Sequence, residues 1–206
     1  MASTSSRAVP LVRSSRERTV GDDADGWGAR PGRDRRDARR ARAAHRAGLD
    51  RPGGHAGLEL LAHDLLAYAG QVAGRPSGGY LPFDLTVSPA ATPTEVLTVA
   101  ATCGGLLATA LDAADPGLRA WHFGPCDPAG FAAMGVAETL LHTHDVARGL
   151  GVAWQLPDRL AAVALDRLFP EAPPGPPAQV LLWMAGRAEF DGRPRRTSWT
   201  WRAALP

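Results

Sequence analysis

Glu138 and His142 stand four residues apart in the segment FAAMGVAETLLHTHDVARGLG, residues 131–151. On a helix that spacing brings both side chains out on one face, about 5–6 Å apart at Cβ. A carboxylate and an imidazole so placed can both reach one divalent metal. With a third ligand from a facing helix, a coordination position stays open for water or a thiolate. Asp145 lies three residues further on, shares the face, and is placed to hold the imidazole tautomer by a hydrogen bond. His144 is about 200° around the helix from His142 and points elsewhere. The other histidine inside a bundle-like helix is His63, which makes it the candidate third ligand. Both assignments have an ordinary counterpart: a Glu–His–Asp trio also occurs as a partly buried polar cluster, and a His beside Asp64 also occurs as a surface or capping group.

Other chemistry-bearing residues are less organised. His122 and Cys126 lie four apart in AWHFGPCDP, a Pro/Gly loop, where a metal or thiol role competes with structural filling. Cys103 sits in an Ala/Leu/Gly helix and reads as a small core residue. No G-x-S-x-G elbow occurs for a Ser nucleophile, and neither a P-loop nor a Rossmann glycine pattern for phosphate. All 23 basic residues are Arg, so Schiff-base and Lys general-base chemistry is excluded. Asn and Ile are missing as well. These absent types share A/T-rich codons, so the missing Lys reflects a GC-rich gene.

The elements that must position these groups read as helices with strong punctuation. In LELLAHDLLAYAGQVA, residues 58–73, Leu58, Leu61, Leu65, Tyr68 and Val72 recur at spacings of three and four, an amphipathic helix. Tyr80–Ser88 is broken by Pro82 and reads as a loop or extended strap. Thr92-Pro93-Thr94-Glu95 supplies an N-cap, a first-turn Pro and an early carboxylate, opening a helix to about Ala114. Asp127-Pro128 starts a longer helix ending at Gly149 or Gly151. Pro157-Asp158 opens another to about Phe169, and a fifth apolar segment spans Ala178–Ala188. The tail Thr197–Arg202 puts Trp199 and Trp201 on one side of an extended stretch. Four or more helices with short connections and almost no strands make an all-α, antiparallel bundle.

Charge divides the 206-residue chain unequally. Residues 1–57 hold 13 Arg against seven acidic residues, whereas residues 58–206 carry a net charge of −4, so the overall +2 conceals a basic head on an acidic body. Between Gly21 and Gly57 only Trp27 and Leu49 are bulky hydrophobes, too few to offset the entropy of ordering that stretch. The head, 1–57, is expected to be disordered, or an off-frame translation of a GC-rich gene. A nucleic-acid arm built on its Arg run ranks last, because no aromatic residues are interleaved. No apolar run reaches the ~18 residues of a membrane span. With no signal-peptide h-region and only two cysteines, the expectation is a cytoplasmic protein with no membrane partner.

The stretch ADPGLRAWHFGPCDPAGFAAMGVAETLLHTHDVARGLG, followed by LLWMAGR and the closing W-x-W, resembles the mycothiol-dependent maleylpyruvate isomerase family, in its N-terminal metal-binding domain of the DinB-like superfamily. The segments LLAYAGQVAG and YLPFDLTVSP are similar too, so the likeness covers residues 58–206. It implies a DinB-like antiparallel four-helix bundle holding a divalent metal, usually zinc. The ligands would be a first-helix His together with Glu138 and His142. It also implies mycothiol or another low-molecular-weight thiol as cosubstrate, deprotonated at the metal, and an electrophilic small-molecule substrate for thiol-dependent transfer or isomerisation. A homodimer is a further expectation. This sequence departs from the family in three ways. The first-helix His is expected near Leu60, whereas the chain offers His63. The Arg-rich head stands where the family has a Trp-containing helix. The chain ends just after Trp201, before the isomerase's additional C-terminal domain. The alternative is a non-catalytic bundle with a degraded metal site, serving as a binding or structural module.

Overall fold

A computed structural model describes residues 55–205, the side chain of His55 excepted. The expectations for the Arg-rich head fall almost wholly outside those residues. The described part is mostly helical, with five helices: α1 (His55–Gly74), α2 (Pro93–Asp112), α3 (Pro128–Gly149), α4 (Asp158–Leu168) and α5 (Pro177–Met184). Its strands are two residues each, β1 (Ala120–Trp121) and β2 (Pro125–Cys126), paired antiparallel with Ala120 opposite Cys126.

Local signals account for the helix boundaries. Thr92 caps α2 through a reciprocal box: its hydroxyl accepts from the Glu95 N–H at 3.3 Å while Glu95 accepts from the Thr92 N–H at 2.7 Å. Asp127 caps α3 by accepting from the Gly130 N–H at 2.8 Å. Two boundaries differ from expectation. α1 starts at His55, within the stretch assigned to the head. The fifth apolar segment, Ala178–Ala188, is helical only as far as Met184, because Gly186 turns the chain with φ +69°. A Cβ at Gly186 would stand 2.7 Å from the Arg196 carbonyl oxygen, so this close turn requires glycine.

Helices α2 and α3 both pack on α1, α4 packs on α3, and α5 packs on α4. One continuous core joins them, with Leu61, Leu65 and Val72 of α1, Phe131, Met134 and Leu141 of α3, and Leu165 and Leu168 of α4 all buried. The tail crosses this assembly as an extended segment. Its Arg202 N–H donates to the Leu168 carbonyl and its Leu205 N–H to Pro125. Trp199 and Trp201 stack near each other, centroids 5.4 Å apart, and both reach Phe169.

Helix α2 stands apart in composition. It is long and apolar enough to cross a membrane by length and composition alone, although no run in the sequence was expected to do so. In this structure it lies against α1 through Val96, Ala100, Cys103 and Leu107. Leu97 and Leu106 are exposed.

Candidate metal centre

Two helices each contribute a pair of polar residues one turn apart. Asp64 and Tyr68 project from α1, and Glu138 and His142 from α3, in the seam where those helices pack. Ligand atoms of Asp64, Glu138 and His142 all lie within 4.8 Å of one another. Glu138 and His142 are buried, and His142 Nε2 sits 3.3 Å from Glu138 Oε2. The Tyr68 hydroxyl donates to the other oxygen, Oε1, at 3.1 Å. A methyl group on Gly57 would stand 3.9 Å from His142 Nδ1, so the first turn of α1 covers that edge of the ring.

Electrostatics in the seam are those of concentrated negative charge. Burial pushes the Asp64 carboxyl well above the ordinary aspartate range, and the nearby Glu138 adds to the rise. The Tyr68 phenol is raised too, first by burial and then by the charges of Glu138 and Asp64. It therefore remains a hydrogen-bond donor at neutral pH. Two carboxylates forced together in low dielectric are relieved either by a proton or by a cation. Two carboxylate oxygens and one imidazole nitrogen form a donor set that first-row divalent metals and zinc accept. By donor chemistry, the residues fit such an ion.

His63 is placed elsewhere. Its Nδ1 accepts from the Leu85 N–H at 3.5 Å and lies 3.8 Å from Asp84 Oδ1, in the strap that follows α1. The α1 residue that reaches the cluster is its neighbour Asp64, which sequence reasoning did not single out. A signal was present. Taking Leu58, Leu61, Leu65, Tyr68 and Val72 as the inward face, Asp64 lies roughly 80° from its centre, on the flank, and His63 roughly 180°, on the opposite side.

Asp145 also differs from expectation. Its carboxylate is bound by Arg187, with Nε 3.2 and 3.1 Å from its two oxygens and Nη2 at 2.8 Å. This guanidinium is held between the Ala185 carbonyl and the Trp199 ring, 5.9 Å from its centroid. Asp145 thus ties α3 to the turn after α5, and its oxygens are engaged there rather than at His142. His144 is half-buried, and desolvation lowers its pKa.

The loop candidates His122 and Cys126 resolve into structural roles. His122 is buried, and its Nδ1 is hydrogen-bonded to the Tyr80 hydroxyl. Its ring packs edge-on to Tyr68 at 5.9 Å. Burial lowers its pKa to about 4 even though Glu138 acts the other way, so the ring is neutral. Cys126 donates its S–H to the Ala203 carbonyl at 3.2 Å, and burial pushes its thiol up to about 12. A buried thiol so protonated and engaged with a carbonyl is a poor nucleophile at neutral pH. Cys103 is a buried core residue of α2, as expected.

Comparisons with protein-family models, curated proteins and solved structures give no match to this chain.

Proposed function

We propose that this chain is a divalent-metal-binding helical protein in which Asp64, Glu138 and His142 hold the ion. The observation that carries the reading is the convergence of their ligand atoms within 4.8 Å across the α1–α3 seam. The donor set suits manganese, iron or zinc, with zinc the expectation carried by the family resemblance. A DinB-like four-helix bundle formed by α1 to α4 is part of the same proposal. It is supported by the packing of α2 and α3 on α1 and of α4 on α3. Thiol-dependent transfer or isomerisation of a small electrophile, in the cytoplasm, is the activity this reading extends to. When bound, the metal would supply Lewis acidity that deprotonates a coordinated small thiol such as mycothiol. The chain's own residues do the rest: Asp64, Glu138 and His142 fix the site, Tyr68 orients Glu138, and the apolar seam excludes bulk water.

The test is metal content after purification and dialysis. About one equivalent of zinc, manganese or iron is expected in the wild-type chain, lost in His142→Ala and Asp64→Asn and retained in His63→Ala. Wild-type protein that takes up no metal overturns the reading. A second reading, a non-catalytic bundle with an incomplete site, is favoured by the position of His63 against Asp84 and Leu85, and it predicts that metal-free result.

A further inference from the structure

Glu138 has two oxygens with different neighbours. Oε1 accepts the Tyr68 hydroxyl at 3.1 Å, and Oε2 faces His142 Nε2 at 3.3 Å. Tyr68 is itself locked in place. It is 5% exposed, with the Phe131 ring 6.2 Å away and the His122 ring edge-on at 5.9 Å. His122 is in turn held by the Tyr80 hydroxyl. The phenol cannot swing aside without repacking the hairpin tip.

We infer that Tyr68 is a positioning residue which reserves one oxygen of Glu138, so that Glu138 offers a cation Oε2 alone. This deepens the metal-binding reading and rests on it. The consequence is selectivity by size. Calcium takes six to eight oxygen ligands and readily uses both oxygens of one carboxylate. A glutamate with one oxygen already engaged offers less to calcium than to a small ion satisfied with four ligands.

The experiment titrates the full chain with Co²⁺ and separately with Ca²⁺, in wild type and Tyr68→Phe. The Co²⁺ visible bands serve as a readout of ligand geometry. Tyr68→Phe is expected to bind Co²⁺ about 10–100-fold more weakly, with an altered band envelope and a reduced preference for Co²⁺ over Ca²⁺. Phe131→Leu, which loosens the same packing but keeps the hydroxyl, is expected to retain the wild-type band envelope and preference. Because the chain has only two tyrosines, fluorotyrosine labelling gives a second test that does not depend on the Phe variant folding. The fluorine signal that persists in Tyr80→Phe belongs to residue 68, and it should shift in proportion to added Zn²⁺ up to one equivalent. If wild type binds Co²⁺ and Tyr68→Phe matches it in affinity, spectrum and preference, the inference falls and the metal reading stands. The inference falls equally, with the metal reading intact, if Zn²⁺ binds without moving the residue-68 signal. If wild type binds no metal, both fall.

Discussion

Two acidic sites meet α3 two turns apart, one at Asp145 and the other where Glu138 faces Asp64 of α1, and they are handled in opposite ways. Asp145 is met by a guanidinium from the same chain, Arg187, in a two-pronged ion pair whose side chains are 16% and 2% exposed. Asp64 is instead brought against a second carboxylate, Glu138, and an imidazole. The first arrangement is electrostatically closed and ties the turn after α5 to α3. The second concentrates like charge, and burial there raises the Asp64 pKa rather than lowering it. The contrast separates a polar contact that brings its own counter-charge from one that gathers donors without one, as the proposed cation site requires.

The contrast breaks most visibly at Arg187. Arg187→Met keeps most of the volume but leaves the Asp145 charge buried without its guanidinium, a loss of about 3–5 kcal/mol. Urea unfolding should show it. Metal affinity should be unchanged, because Arg187 does not enter the α1–α3 cluster. A destabilisation below about 1 kcal/mol would mean that Asp145 is solvated after all.

The next largest effect concerns His122 beside the cluster. Its folded pKa is depressed to about 4 from an ordinary 6.5. The unfolded chain therefore binds a proton that the folded chain refuses. The stabilisation from this group is present above pH 6.5 and is lost as pH falls through that value towards 4. About 3 kcal/mol should disappear over the window. His122→Phe should flatten that part of the stability–pH curve, measured on metal-free protein in a chelator. An identical slope in the variant would remove the assignment.

The smallest expected effect is at Gly135, one turn before Glu138. A Cβ there would lie 2.7 Å from Leu107 Cδ2 and 3.6 Å from Leu65 Cδ2, so α3 must shift or the Leu107 tip must move. Gly135→Ala should cost about 1–2 kcal/mol and weaken metal binding by displacing α3 away from Leu107 of α2. The Arg187–Asp145 pair should be untouched, which a double-mutant cycle with Arg187→Met would report as additivity. Metal affinity equal to wild type would show that the cluster tolerates displacement of α3.

How much of this is legible in the sequence follows from sequence distance. The caps Thr92 and Asp127 act on residues three positions away, and they mark the openings of α2 and α3 correctly. Glu138 and His142 need only the helical repeat. On α1 the two candidates differ in phase: histidine chemistry draws attention to His63, which lies opposite the apolar face, while Asp64 flanks it. Arg187–Asp145 has no such local trace. Its partners are 42 residues apart, and nothing in either segment names the other.

Sequence alone thus determined the helices, their caps and the pairing of Glu138 with His142, because each depends on periodicity or on groups within one turn. Tertiary structure decided which α1 residue joins that pair, that Tyr68 occupies one oxygen of Glu138, and that Asp145 belongs to Arg187. Those outcomes depend on how separate helices are rotated against each other, and rotation is set by packing the whole core at once.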